Sequence, residues 1–354
     1  MSHENVQSWL VRAAALLAEA GIEDSRFEAR LLLAEAAGWP AETIIARHGQ
    51  HLPEDAVRRA EMLLQRRCRR QPASHILGRR EFWGMEFEVR PEALDPRPDS
   101  ETVVAAALAQ IGNRAVPFRV LDFGTGTGCL LLALLSELPN ARGVGLDLSE
   151  AAARLARANA ERLGLSSRAQ FVVGDWGEGL AGEFDVIVSN PPYVPTAAIG
   201  RLQPEVALWE PRLALDGGKD GLEAYRKLGT WIAGLLHPNG FAAIEIGWDQ
   251  ASAVGGIVGR SGLTVLCRAQ DLGGRDRCLL LGHGHSRAKK QLEKGGLPSR
   301  VGSEIGPLAA PRRARRAHAS PPIRPGVVGP LQAMADGVVR PAGTGNRATK
   351  RKSR

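Results

Sequence analysis

Residues 120–128 read Val120-Leu121-Asp122-Phe123-Gly124-Thr125-Gly126-Thr127-Gly128. A short apolar run enters a turn with glycine at every second place, and Cys129-Leu130-Leu131-Leu132 then begins a helical pattern. Strand, glycine turn and helix in that order begin a crossover unit of a parallel sheet. Glycine there lets the main chain turn tightly and lets a ligand approach the backbone. Taken alone, the turn is equally compatible with a plain tight connection. Its spacing is G-x-G-x-G rather than G-x-G-x-x-G, and no Lys-Ser/Thr pair follows, so neither a dinucleotide pyrophosphate site nor a P-loop is expected.

On either side of this unit, the segments Phe118–Phe123, Arg142–Asp147, Ala169–Val173, Phe184–Ser189, Gly240–Ile246, Leu263–Arg268 and Arg277–Leu281 read as short buried strands, mostly separated by helical patterns. The fold class predicted is α/β, a doubly wound Rossmann-like sheet, mostly parallel with an antiparallel edge strand. Upstream, Val6, Trp9, Leu10, Ala13, Leu16, Leu17 and Ala20 form a helical stripe ended by Gly21, and Ser25-x-x-Glu28 reads as a capping box for a second helix. A third helix starts at Pro53, and Arg66-Arg67-Cys68-Arg69-Arg70 falls in its last turns, read as a solvated helix end with a nucleic-acid contact as the alternative. Glu81–Val89 alternates around Gly84 as a hairpin, and His75 reads as a partly buried residue beside it. The expected organisation is a helical domain over 1–76, hairpin and linker over 77–98, the sheet domain over 99–284, and a tail over 285–354.

The net charge of +8 suggests a nucleic-acid or anionic-membrane partner only if it is spread over the fold. It is not. Residues 285–354 carry 16 Lys and Arg against three acids, so residues 1–284 hold the remaining 30 basic and 35 acidic side chains, a net of −5. The tail is rich in Pro, Gly, Ala and Arg, has no Phe, Trp or Tyr, and is expected to be disordered. The cysteines (Cys68, Cys129, Cys267, Cys278) lie far apart without a C-x-x-C pair, and His283-x-His285 lacks further ligands, so neither disulfides nor a metal site is expected. With no signal-peptide pattern at the start and no apolar run long enough to span a bilayer, the expected compartment is the cytoplasm.

Two further features bear on chemistry. Asp147 ends the next strand, 19 residues after Gly128, where an acid accepts hydrogen bonds from both ribose hydroxyls of a nucleoside; capping the helix that follows is its alternative role. A nucleoside without a pyrophosphate points to S-adenosylmethionine. The strand Phe184–Ser189 then delivers Asn190-Pro191-Pro192-Tyr193 at its carboxyl end, where open α/β sheets bind ligands. Two prolines stiffen the turn and leave carbonyl acceptors beside the Asn190 side-chain oxygen, which suits a substrate –NH2 group, and Tyr193 offers a flat surface to a planar one.

Gly124–Gly128, Asp147 and Asn190–Tyr193 together resemble the amino-methylating, S-adenosylmethionine-dependent methyltransferases. The tetrapeptide is shared with adenine-N6 enzymes. The segments Gly78–Gly84, Pro96–Glu101, Glu210-Pro211, Gly217–Leu222 and Glu245-Ile246-Gly247 resemble more narrowly the bacterial peptide chain release factor N5-glutamine methyltransferases, over roughly residues 5–283. The resemblance implies methylation of the glutamine of the Gly-Gly-Gln motif in class I release factors, with S-adenosylhomocysteine as the other product and no metal. It places Gly124, Thr125, Gly126, Thr127, Gly128, Asp147, Trp176 and Asn190 at the cofactor, with Trp176 beside the adenine unless it is a core or hinge residue. Asn190, Pro191, Pro192 and Tyr193 would hold the substrate amide, Asn190, Pro191 and Tyr193 acting in catalysis. Arg97, Asp99 and Glu101 either anchor the linker or line the peptide groove, and Glu210 and Asp220 are expected to be structural, with a place near the site as the alternative. The alternative activity is N-methylation of adenine or guanine in DNA or RNA, disfavoured by the −5 charge of residues 1–284. For the tail, a dispensable extension and a contact with RNA are the two readings.

Overall fold

The stripe beginning at Val6 folds as α1 (Val6–Glu19), which packs with α2 (Ser25–Ala37), α3 (Glu54–Cys68) and α4 (Ala73–Leu77) around Trp9, Leu17, Leu32, Leu33 and Leu64. These coordinates are a computed structural model, describing residues 4–284 and the backbone of a two-residue strand, Glu304–Ile305. The capping box expected at Ser25 does not form: Asp24 is the N-cap without a side-chain bond, and Glu28 instead accepts from Arg67 Nη2 at 3.1 Å. A capping box does form on α1, where Asn5 and Ser8 bond reciprocally.

The basic run is neither a solvated helix end nor a nucleic-acid contact as a whole, because its register turns Arg67 inward. Arg67 is 5% exposed, ion-paired to Glu28 and, at 2.9 Å, to Glu205. Arg70 adopts a left-handed backbone (φ 64°), grips Glu205 Oε1 and Oε2 at 2.7 Å each, and donates to the carbonyls of Ala20 and Gly21 at 2.9 Å. Arg69 alone of the four arginines is exposed. Since Glu205 belongs to the sheet domain, the run clamps the two domains together. His75, expected partly buried beside the hairpin, lies instead within α4, buried, with neither ring nitrogen hydrogen-bonded, and burial pushes its pKa down.

Strands β1 (Arg79–Phe82) and β2 (Met85–Glu88) form the expected hairpin. Trp83 and Gly84 both have positive φ (54° and 69°), the two-residue turn that matches strand twist. Phe82 and Phe87 pack into the sheet domain with Val103 and Val104 of α5 (Glu101–Gln110).

The sheet domain continues through β3 (Arg119–Phe123), α6 (Cys129–Glu137), β4 (Arg142–Asp147), α7 (Glu150–Arg162), β5 (Ala169–Val173) and β6 (Phe184–Ser189). Then come α8 (Pro204–Trp209), α9 (Arg212–Leu215), α10 (Glu223–Leu235), β7 (Leu236–Glu245), α11 (Ala251–Arg260), β8 (Leu263–Gln270) and β9 (Asp276–His283). Strand order is β8-β9-β7-β6-β3-β4-β5, parallel except for β9, which runs antiparallel between β7 and β8 at one side of the sheet. The pleat sends Val120 to an apolar layer under α5, α6 and α7, and Leu121 to the opposite layer under α10 and α11. Burying each such leucine contributes about 2 kcal/mol. The chain turns back across the sheet between β3 and β6, so the crevice at their carboxyl ends is where a ligand is expected.

The expected disorder of 285–354 lies outside the described residues, except that Glu304–Ile305, β10, pairs parallel with β8, a short strand where none was expected.

Candidate active site

The loop after β3 requires its glycines: Gly124, Gly126 and Gly128 have φ of 68°, 55° and 82°. A Cβ on Gly128 would also stand 3.2 Å from Ala156 Cβ and Leu132 Cδ1, so this glycine lets α6 pack against α7. Nothing lies within 4 Å of a Cβ built on Gly124. The loop is held from beneath. Gly124 N and Thr125 N donate to Leu146 O at 2.8 and 3.0 Å, Thr125 Oγ1 donates to Asp122 Oδ2 at 2.7 Å, and Asn159 Nδ2 donates to Thr127 O at 3.0 Å. Asp122 is fully buried, and burial pushes its carboxyl up to about 7.

Asp147, at the end of β4, accepts from Gly126 N through Oδ2 at 2.8 Å and from Ser149 N through Oδ1 at 2.9 Å. The N-cap of α7 is Ser149, whose own hydroxyl takes Ala152 N. Asp147 is therefore half-buried beside the glycine loop, with a lone pair left on each oxygen. Burial raises its pKa.

Gly124–Thr127, Asp147, Trp176, Asn190 and Pro192 line one cavity of about 610 Å³. Trp176, held at φ 53°, lies with its ring centroid 6.4 Å from that of Phe123. The cavity is lined as well by Glu92–Arg97 and by Pro211, Leu213 and Ala214. Gly128, Pro191 and Tyr193 are not among the lining residues. Tyr193 packs into the apolar layer near α10 and sends its hydroxyl away from the cavity, to Glu245 Oε1 at 3.3 Å. The flat surface expected from Tyr193 is thus turned inward, because an acid at the end of β7 takes its hydroxyl.

In the segment Pro96–Glu101 all three charged residues have partners. Arg97 Nη2 meets Glu210 Oε1 at 2.6 Å, Asp99 Oδ2 meets Arg277 Nη2 at 3.2 Å, and Glu101 Oε1 accepts from Trp83 N at 2.8 Å. Arg97 also lines the cavity. Glu210 is buried with the Asp95 main chain on Oε2, and burial pushes its carboxyl up to about 7 against the pull of Arg97. Asp220 pairs with Arg226 at the surface.

Reading the sequence missed Ser100. Its Oγ accepts from Asn190 Nδ2 at 3.0 Å, across 90 residues of chain, so the Asn190 oxygen is not the atom engaged. Behind Ser100 lies Glu245, 1% exposed, at the end of β7. Burial pushes it up to about 7, opposed by Arg277 and by a hydrogen bond from Ser100, although Glu245 Oε2 has no partner at full hydrogen-bond geometry. A lone acid after Ala242-Ala243-Ile244 at a strand end was a signal for Glu245; the local pattern around Ser100 carried none.

A glycine loop and an acid at successive strand ends, facing a rigid amide-bearing turn across one crevice, define a methyltransferase. Residues 117–228 match the family model of a methyltransferase domain, and residues 8–78 that of the PrmC N-terminal domain. A release factor glutamine methyltransferase of Rhodospirillum rubrum is 46% identical over 272 residues, covering 77% of this chain and 83% of its own. Those of Caulobacter vibrioides (43% identical; 78% and 95% covered) and Cereibacter sphaeroides (44%; 74% and 92%) are similar to it as well. The chain belongs to the release factor glutamine methyltransferase family. Among the described residues no helix is long and apolar enough to cross a membrane, and no group of three or more His, Cys, Asp or Glu is placed to hold a metal.

Proposed function

We propose that this chain transfers the methyl group of S-adenosylmethionine to the side-chain amide nitrogen of the glutamine in the Gly-Gly-Gln loop of class I peptide chain release factors. The observation that carries the proposal is the state of Asn190. Its Nδ2 donates one N–H to Ser100, which turns the nitrogen to that side, and among the described residues no donor is bonded to its oxygen at the cavity wall. A free acceptor there suits a substrate that brings N–H groups, as a glutamine amide does.

The cavity fits the cofactor on its own terms. The Gly124 side is open to a close-lying ligand, Asp147 retains acceptor capacity for two ribose hydroxyls, and Trp176 supplies an aromatic wall for adenine. Gly124, Thr125, Gly126 and Thr127 would line the cofactor's passage, with Gly128 setting the loop's approach to α6. When bound, the cofactor supplies a methyl group on a positively charged sulfur, an activated donor with a good leaving group.

The chain's task is to make a poor nucleophile adequate. An amide nitrogen is weak because its lone pair is delocalised into the carbonyl. Asn190 Oδ1 would accept one N–H of the glutamine, pulling electron density onto nitrogen and fixing its direction. Pro191 and Pro192 hold that acceptor in place by stiffening the turn that carries it, because neither can rotate φ. Tyr193 braces the turn from behind through Glu245. The nitrogen gives up one proton to water as the methyl arrives or after it, and positioning of this kind reduces the need for a strong base.

The test supplies methyl-labelled cofactor with release factor, DNA and RNA in parallel. Label should enter the release factor alone, and label in nucleic acid instead would overturn the proposal. Asn190→Ala should abolish turnover while cofactor affinity stays within a few-fold; near-normal turnover would remove Asn190 from the site.

A further inference from the structure

We infer that Ser100, backed by Glu245, is a positioning residue that fixes which way round the Asn190 carboxamide sits, so that oxygen and not nitrogen faces the substrate amide. The inference rests on the proposed reading of the site. A carboxamide is nearly symmetric in shape, and turning it over exchanges an acceptor for two donors. In the wrong orientation Asn190 would meet the glutamine N–H groups with N–H groups of its own.

Packing alone does not choose between the two orientations, but hydrogen-bond polarity does. Asn190 Nδ2 stands 3.0 Å from Ser100 Oγ. A serine hydroxyl donates one proton and accepts elsewhere, so Ser100 holds Nδ2 in place only if its proton is committed away from Asn190. Glu245 supplies that commitment. It is buried, ionised it is acceptor-only, and its Oε1 already takes the Tyr193 hydroxyl at 3.3 Å. Oε2 has no hydrogen-bond partner at good geometry, and a buried acceptor left unmet is costly; Ser100 is the hydroxyl beside it, so turning the Ser100 proton toward Oε2 meets that need. Arg277 opposes loss of the negative charge, and is itself paired with Asp99 at 3.2 Å and Asp271 at 3.0 Å. Polarity thus runs from Arg277 through Glu245 and Ser100 to Asn190, ending in an acceptor at the cavity. Three distant segments meet here, the linker at Ser100, the turn after β6 and the end of β7, and Tyr225 closes the far side by donating to Glu245 O at 3.0 Å.

The experiment compares wild type with Ser100→Ala and Glu245→Gln, using the full chain. Ser100→Ala removes only one oxygen and creates no steric demand. It is expected to lower kcat on a release factor about ten- to a hundredfold, with the Kd for S-adenosylhomocysteine within twofold of wild type. Glu245→Gln, whose amide can present either polarity to Ser100, should lower kcat by a smaller factor. A merely structural role would instead degrade cofactor affinity and turnover together. A second readout does not depend on the substrate: the side-chain NH2 resonance of Asn190, assigned by its loss in Asn190→Ala. In wild type one of its protons should exchange slowly and shift little with temperature, and in Ser100→Ala both should behave as free. Turnover of Ser100→Ala within twofold of wild type, or an unchanged Asn190 NH2 signal, overturns the inference. Failure of the wild-type enzyme to label any release factor overturns the proposed function instead, and the NH2 signal still decides on Ser100.

Discussion

Replacing Asp147 by Asn tests the cofactor side of the site with the smallest change of shape. Each carboxylate oxygen of Asp147 takes a main-chain N–H, from Gly126 at 2.8 Å and from Ser149 at 2.9 Å, and keeps capacity for a ribose hydroxyl. An asparagine cannot repeat this, since its NH2 must face one of those two N–H groups. Leaving a half-buried donor unmet costs about 1–3 kcal/mol. The free variant escapes part of that cost by relaxing its loop, and binding must then pull the loop back. Exchanging an ionised acceptor for a neutral one in the ribose bonds costs about 1–2 kcal/mol more. With only part of the first cost entering binding, these amount to roughly 1–4 kcal/mol, so cofactor Kd should rise roughly fivefold to about a thousandfold. Titration calorimetry with S-adenosylhomocysteine measures it, with the thermal midpoint as control for folding. A Kd within threefold of wild type in a folded variant would refute the assignment of Asp147 to the ribose.

The interdomain clamp predicts that Glu205→Ala, which strips Arg70 of its carboxylate and Arg67 of one of two, destabilises the protein by about 2–3 kcal/mol; an unchanged urea midpoint contradicts it. Asp122 offers a pH test. Burial holds its carboxyl at about 7 in the folded chain against an ordinary 3.8, so the folded state binds the extra proton between those values and loses stability as pH rises through that window. Asp122→Asn, which can still accept from Thr125, removes this dependence. Its stability should gain on wild type by about 2–4 kcal/mol between pH 5 and pH 9. Equal slopes of thermal midpoint against pH for the two proteins would show that Asp122 is not the group responsible.

Much of the site could be read along the chain because its features are local. Three glycines at alternate positions demand positive φ wherever the chain goes, and an apolar run before them has only a strand to form. Asp147 and Asn190 followed from the rule that such sheets bind at the carboxyl ends of their strands, a matter of position within one element. The opening of α2 departs from its local pattern. Ser25-x-x-Glu28 has the pattern of a capping box, but Glu28 gains more from a buried guanidinium than from a helix end.

What the sequence by itself determined is the backbone: the order of strands and helices, the left-handed glycine loop, and the rigid turn that carries Asn190. These depend on intrinsic conformational preference and on the period of apolar residues, which neighbours a few positions apart settle between them. Tertiary structure alone decided how polar groups are paired. Arg67 and Glu205 lie 138 residues apart, Asn190 and Ser100 lie 90, and Tyr193 and Glu245 lie 52. A hydroxyl or carboxylate has the same chemistry in any of several pairings, and only burial makes one of them obligatory, because a group removed from water must find its partner where the fold has put one.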